Sequence, residues 1–294
     1  MKKKILILVS LVFLTMSCSS DQSNNEPISQ KVDPTSAYEH ITQTYKPDRT
    51  TTSGLSKLDF WSWLKRIAAA DAKAAAAYAA KHGLKSDWKE ALLVGASASV
   101  VEALTPDKSK KGILAPPDTR AYQTVVLSNI EQIKTAQFEQ NTMDDLGYKH
   151  YVLVNEVLKD PTLSTIPKSN LIAMVYDKIY TQAEALGIHA SYEKENAVAF
   201  LQNFMPSLEE GAKVSDMPIH TFEQLKDQRD FESISKLYAT IFSQVNDSKT
   251  FTAFSKEMET AVLQDASLSQ TVKSVLLLEM ATYRFGYTYY SATF

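Results

Sequence analysis

Asn141, Asp144, Gly147 and His150 stand at every third position of one stretch, and a carboxylate and an imidazole are the side chains an acid–base or metal site needs. With Glu156 further on, they read as a candidate hydrolase or metal cluster. The competing reading is structural. Asn141 and Asp144 are expected at the N-cap and N3 positions of a helix, where both serve its unpaired N–H groups. Gly147 within that helix costs about 1 kcal/mol against alanine and implies a backbone passing close by. His150, one turn on, is then expected to bond a neighbouring carbonyl or carboxylate.

Nothing else in the chain strengthens a catalytic reading. His40, His82, His189 and His220 are scattered, and His-Glu-x-x-His, a glycine-rich phosphate loop and a Gly-x-Ser-x-Gly elbow are all missing from the sequence. The expectation is a non-enzyme without metal or cofactor. A second chemical residue is Cys18, the only cysteine in 294 residues, so an intrachain disulfide or a cysteine-based zinc site cannot form. It follows Lys2–Lys4 and an apolar run over 5–14, too short for the ~20 residues of a spanning helix. Thr15-Met16-Ser17-Cys18 resembles a bacterial lipobox, although leucine is usual where Thr15 stands. Residues 1–17 are therefore expected to be a cleaved lipoprotein signal and Cys18 a lipidated N-terminus, carrying acyl chains such as palmitate. Ser19-Ser20 lacks the aspartate of inner-membrane retention, which favours the outer membrane, on its periplasmic or its outer face.

Removing residues 1–17, with three lysines and no acid, moves the formal charge from −3 to −6. A mildly acidic body is a poor partner for nucleic acid. Its partners are expected to be the membrane, through the lipid, and an unidentified protein or glycan. With 44% apolar and 22% charged residues, the chain can bury a sizeable core.

These residues must be carried by helices. Residues 18–54 are polar and proline-bearing and read as a disordered tether, with at most a short helical turn over 37–45. Residues 55–104 read as an alanine-rich hairpin of two helices, 58–82 and 86–104. Ala68, Ala72, Ala76 and Ala80 form an i, i+4 row, and Gly95 and Ser99 offer small surfaces opposite. A loop over 105–119 precedes a second part, 120–294. There the apolar spacing predicts helices over 120–139, 142–159, 168–186, 192–205, 222–245, 251–263 and 270–290. Thr221 with Gln224 and Ser267 with Gln270 read as capping boxes. No stretch alternates like a strand, so the fold class expected is all-α: an antiparallel helical bundle with an N-terminal alanine-rich hairpin.

Two faces keep alternatives open. The hairpin reads as close-packed in the bundle or, in a membrane-active protein, as an inserting element. Tyr283, Tyr287 and Tyr290 continue the stripe of Val272, Leu276 and Met280, and read as core or, if exposed, as an aromatic platform for a ligand or glycan.

The segment from Asn141 to Asn155 resembles an Asn-Pro-Tyr-Asp-x-x-Gly-x-x-His-Asn pattern in a family of uncharacterised helical lipoproteins of Bacteroidota-type bacteria. Asn141, Asp144, Gly147 and His150 match, while Thr142, Met143 and Tyr151 depart from it. Ala70-Asp71-Ala72 resembles that family's Ala-Asp-Ala segment before a small-residue helix. The resemblance implies a helical envelope lipoprotein and no particular activity.

Overall fold

The alanine-rich run and the last long apolar run of the chain form helices whose middle turns are buried on every side. The computed structural model describes residues 34–46, 55–82, 88–105, 135–209, 222, 224–245 and 247–292, and all belong to one compact unit spanning 33–294. They are all-helical, with no strand among them. In chain order the α-helices are α1 (Pro34–Tyr45), α2 (Leu55–His82), α3 (Trp88–Leu104), α4 (Asp144–Leu158), α5 (Leu171–Ala185), α6 (Lys194–Glu209), α7 (Leu225–Gln244), α8 (Ser248–Gln264) and α9 (Gln270–Ala292). Two 3₁₀ turns, Pro161–Thr165 and Lys168–Asn170, link α4 to α5. The signal, Cys18, the loop over 106–119 and most of the helix expected over 120–139 lie outside the described residues.

Alanine makes the first buried helix. It has the best helix propensity and almost no side chain, so its neighbours approach α2 from all around. Residues 67–80 of α2, 90–102 of α3 and 274–287 of α9 are continuously buried. A one-faced helix hides about half its residues; one apolar all round belongs in the middle of a bundle. Helix α2 packs chiefly on α3 and α9, and α9 also meets α4, α7 and α8. Close approach is visible at Gly95, where an added Cβ would lie 2.9 Å from Ala75 Cβ.

The tether reading needs correction over 34–45. Tyr38, Ile41, Thr42 and Tyr45 follow the 3, 4, 7 spacing of a one-faced helix, and α1 docks that face on α7 and α8. Tyr38 is buried and donates to Asp265 Oδ2 at 3.0 Å, and Tyr45 donates to Glu257 Oε1 at 2.7 Å. Burial first, and then the Asp265 carboxylate, push the Tyr38 hydroxyl well above the ordinary phenol range. Only three apolar residues and Thr42 carry the contact, so prolines and polar neighbours hid it in the sequence. Tyr38→Phe is expected to cost about 1.5 kcal/mol, as for a hydrogen bond to a charged group. Limited proteolysis reads this out: cleavage within 34–46 should accelerate, and an unchanged digestion pattern would mean the bond holds nothing in place.

Capping also departs from expectation. The N-cap of α9 is made by Ser269, not Ser267, with Ser269 Oγ accepting from Val272 N–H at 3.2 Å. Ser267 instead donates its backbone N–H and hydroxyl to Asp265. Gln224 precedes α7 without a capping side-chain bond, and Thr221 lies outside the described residues.

Candidate functional site

The pattern residues do not assemble into a single acid–base pair. Helix α4 begins at Asp144 itself, after Met143, which has no capping side-chain bond. Asn141 and Asp144 are therefore not N-cap and N3. Asn141 sits buried in the preceding turn, where its Oδ1 accepts from Met143 N–H at 2.8 Å. Its Nδ2 donates to Glu259 Oε2 at 2.6 Å and to the Leu277 carbonyl at 2.9 Å. It thus ties the turn to α8 and α9. Asp144 accepts from Phe138 N–H at 3.1 Å and meets Arg284 Nη2 at 2.5 Å.

Gly147 behaves as its type implies. A Cβ there would lie 2.8 Å from Ala281 Cβ and 2.9 Å from the Ala281 carbonyl carbon, so α4 and α9 touch backbone to backbone. His150 points into the core and meets Asp71 of α2, Nε2 to Oδ1 at 2.5 Å, each side chain 4% exposed. Six residues along a helix turn it by about 600°, which leaves Asp144 and His150 on faces roughly 120° apart. Each consequently takes a different partner. Glu156 pairs with Lys159 at 2.5 Å, nearer the surface.

Around these residues, two ionic clusters stand out among the described residues. The first centres on Arg284, whose side chain is fully buried. Its Nε and Nη2 donate to Glu259 Oε1 and Oε2 at 2.8 and 2.9 Å, a bidentate pair, while Nη1 donates to the Ala136 carbonyl. Phe138 and Phe285 rings flank the guanidinium at 6.0 and 5.1 Å. Glu259 also accepts from Ser255 at 2.6 Å, and Ser255 bonds the Tyr238 hydroxyl at 2.7 Å. Residues 135–136 are helical, and Lys256 donates to the Thr135 carbonyl at 3.1 Å. Two cations therefore meet the carbonyls at the end of that helical stretch, where positive charge is favoured. Burial works against the charge on Arg284, but Glu259 and Asp144 outweigh it and hold its pKa above the ordinary value.

The second cluster lies along α2 and α9. Lys73 Nζ meets Glu279 Oε1 at 2.9 Å and donates to Ser235 Oγ, which in turn donates to Glu279 Oε1 at 2.8 Å. Asp71, two residues from Lys73, faces the other way toward His150, with Ser99 of α3 beside the same carboxyl. Burial pushes the Asp71 carboxyl up, and His150 and Ser99 pull it partly back. Asp71 Oδ1 and His150 Nε2 approach without a hydrogen bond of ordinary geometry, and Ser99 Oγ, Glu279 Oε2, Thr282 Oγ1 and Tyr283 Oη are buried in the same condition. Burial, then Glu279, with smaller contributions from Tyr238 and Asp71, holds the Tyr283 hydroxyl far above its ordinary value.

These positions decide the aromatic alternative too. Tyr283 and Tyr287 are 0% and 1% exposed, so neither contributes to a surface platform; the Tyr290 side chain lies outside the described residues. Tyr287 donates to the Val245 carbonyl at 2.9 Å, which closes the end of α7 onto α9.

Chemically, this arrangement can neutralise, orient and hold protons inside a bundle. Among the described residues, no group of three or more His, Cys, Asp or Glu is placed to hold a metal ion. Arg284, Glu259, Glu279 and Lys73 did not stand out in the sequence as site residues. Their signal was present: Asp71 and Lys73 interrupt an alanine run, and Glu279 and Arg284 interrupt the apolar run of α9. Charges in helices buried all round need partners inside. No family model, curated protein or solved structure matches this chain.

Proposed function

We propose that this chain is a lipid-anchored helical protein of the bacterial envelope, attached to the outer membrane through Cys18, with a binding or structural role. The observation that carries the reading is the lone cysteine directly after a basic and apolar leader. The resemblance of Asn141, Asp144, Gly147 and His150 to the lipoprotein pattern supports it, as does their use in internal contacts that hold helices together. A protein or glycan is the expected partner, met by the body while the acyl chains hold it at the membrane. No described helix is long and apolar enough to cross a membrane, so attachment would rest on the lipid for that part of the chain.

Cys18→Ala tests the anchor. The variant should move from the membrane to the soluble fraction and lose incorporation of labelled palmitate; retention in the membrane fraction would refute the reading.

A second reading has one observation in its favour: residues 67–80 of α2 and 90–102 of α3 are buried on every side, the property shared by central helices and membrane helices. In that reading the hairpin leaves the bundle and enters lipid. Release of dye from liposomes by the processed body supports it, and intact liposomes at micromolar protein dismiss it.

A further inference from the structure

Helix α1 has little of its own to hold it in shape. Its twelve residues are at the length where an isolated helix is marginal in water. Ile41, Thr42 and Thr44 are β-branched, and Tyr38, His40 and Tyr45 are also weak helix formers. Thr42 and Thr44 donate their hydroxyls back to the Glu39 and His40 carbonyls, at 2.8 and 3.0 Å, a pattern that slightly destabilises a helix. The order of α1 therefore comes from the face it lays on α7 and α8.

That face is small, and its departure strands no buried charge. Tyr38 donates to Asp265 Oδ2, but Asp265 Oδ1 keeps the Ser267 N–H and hydroxyl at 2.8 and 2.6 Å. Glu257, which accepts from Tyr45, is exposed and returns to water. Tyr45 also lies against Phe254, ring to ring at 5.5 Å, so what opening uncovers is chiefly apolar. The central helices are bound differently. Helices α8 and α9 share Glu259 and Arg284, and α2 and α9 share Lys73 and Glu279. Separating any of these leaves a buried ion without its partner, the costliest kind of loss.

We propose that α1 is a releasable latch, ordered while it lies on α7 and α8, that comes away as a unit while the central helices stay folded. Local opening of this kind belongs to elements with few buried contacts. The place of α1 in the chain gives the motion a consequence. Among the described residues, α1 is the first element after Cys18 and α2 is the next. Release of α1 therefore adds up to residues 34–54 to the connection between Cys18 and the central helices, at most about 70 Å of extended chain. Docked, α1 spans only about 18 Å. In the lipid-anchored reading, on which this consequence rests, an open latch lets the body stand farther from the membrane. The latch itself needs no lipid, so either idea can fail alone.

The test is amide hydrogen exchange of the processed chain without its lipid, read by mass spectrometry peptide by peptide. Amides over 38–45 should be protected, yet exchange roughly a hundredfold or more faster than those over 67–80 and 274–287. Tyr38→Phe should speed exchange over 38–45 by roughly tenfold, the loss of one hydrogen bond to a charged acceptor, and Tyr45→Phe should add to it. Neither change should alter exchange over 67–80 or 274–287. Equal rates for α1 and the central helices would overturn the proposal, since α1 would then open only when everything unfolds. Exchange over 38–45 at the rate of a free peptide would also overturn it, because the latch would never close. So would a Tyr38→Phe variant that loosens 274–287 as much as 38–45. The membrane fraction of Cys18→Ala judges the anchor in a separate assay and leaves these outcomes untouched.

Discussion

Arg284→Met is expected to destabilise the bundle by about 3–5 kcal/mol, enough to unfold a domain whose whole stability is typically about 5–15 kcal/mol. The methionine fills similar space, so packing is not the main loss. What is lost is the cation bonded by both oxygens of Glu259 and by Asp144, together with the donor to the Ala136 carbonyl. Glu259 is 0% exposed, so its charge has no route to water and stays buried without its main partner. Asn141 and Ser255 still donate to it, which keeps the loss from reaching the full cost of an isolated ion. Arg284→Met combined with Glu259→Met should recover much of the loss, because two apolar chains need no partner. Urea denaturation of the single and double variants checks both statements. A loss under about 1 kcal/mol for Arg284→Met would show the pair to be solvated like a surface bridge.

Gly147→Ala comes second, and here the sign is the informative part. In an exposed helix this change stabilises by about 1 kcal/mol, from propensity alone. In α4 it is expected to destabilise by about 1–3 kcal/mol, because the new methyl overlaps Ala281 and the Phe285 ring. Pushing α4 off α9 also shifts His150, one turn on, from Asp71, and Asp144 from Arg284. Ala281→Gly added to Gly147→Ala removes one clashing Cβ but leaves the Ala281 carbonyl carbon, which the methyl would approach to 2.9 Å. Rescue should be partial. Thermal melts of the two single variants and the pair measure it. A stabilised Gly147→Ala would place this helix face in solvent and break the account of the α4–α9 contact.

Helix class and most element limits were legible in the sequence, because apolar spacing and propensity act within a few residues. The helices expected over 142–159, 168–186 and 251–263 are found within a few residues of those limits, as Asp144–Leu158, Leu171–Ala185 with a 3₁₀ turn before it, and Ser248–Gln264. The docking of α1 was harder to see, since four residues on one face give a weak signal among polar neighbours. Gly147 was read correctly as a close backbone approach, for the reason that an interior glycine seldom has another use.

Pairing was a different matter. Asp144 and His150 lie near each other in sequence, and nothing local says that they face separate helices. Their partners, Arg284 and Asp71, stand far away along the chain in opposite directions, and only packing brings either one close. The same holds for the charges of α2 and α9. Local composition made Asp71, Lys73, Glu279 and Arg284 look like interruptions of apolar runs, and burial on every side turned them into each other's solvent. The sequence by itself determined that this chain would be helical and that Cys18 would be its only thiol. The tertiary structure alone decided which charges neutralise one another, because a buried ion pair is defined by the distance and dryness of its partners, and neither is written in the spacing of residues.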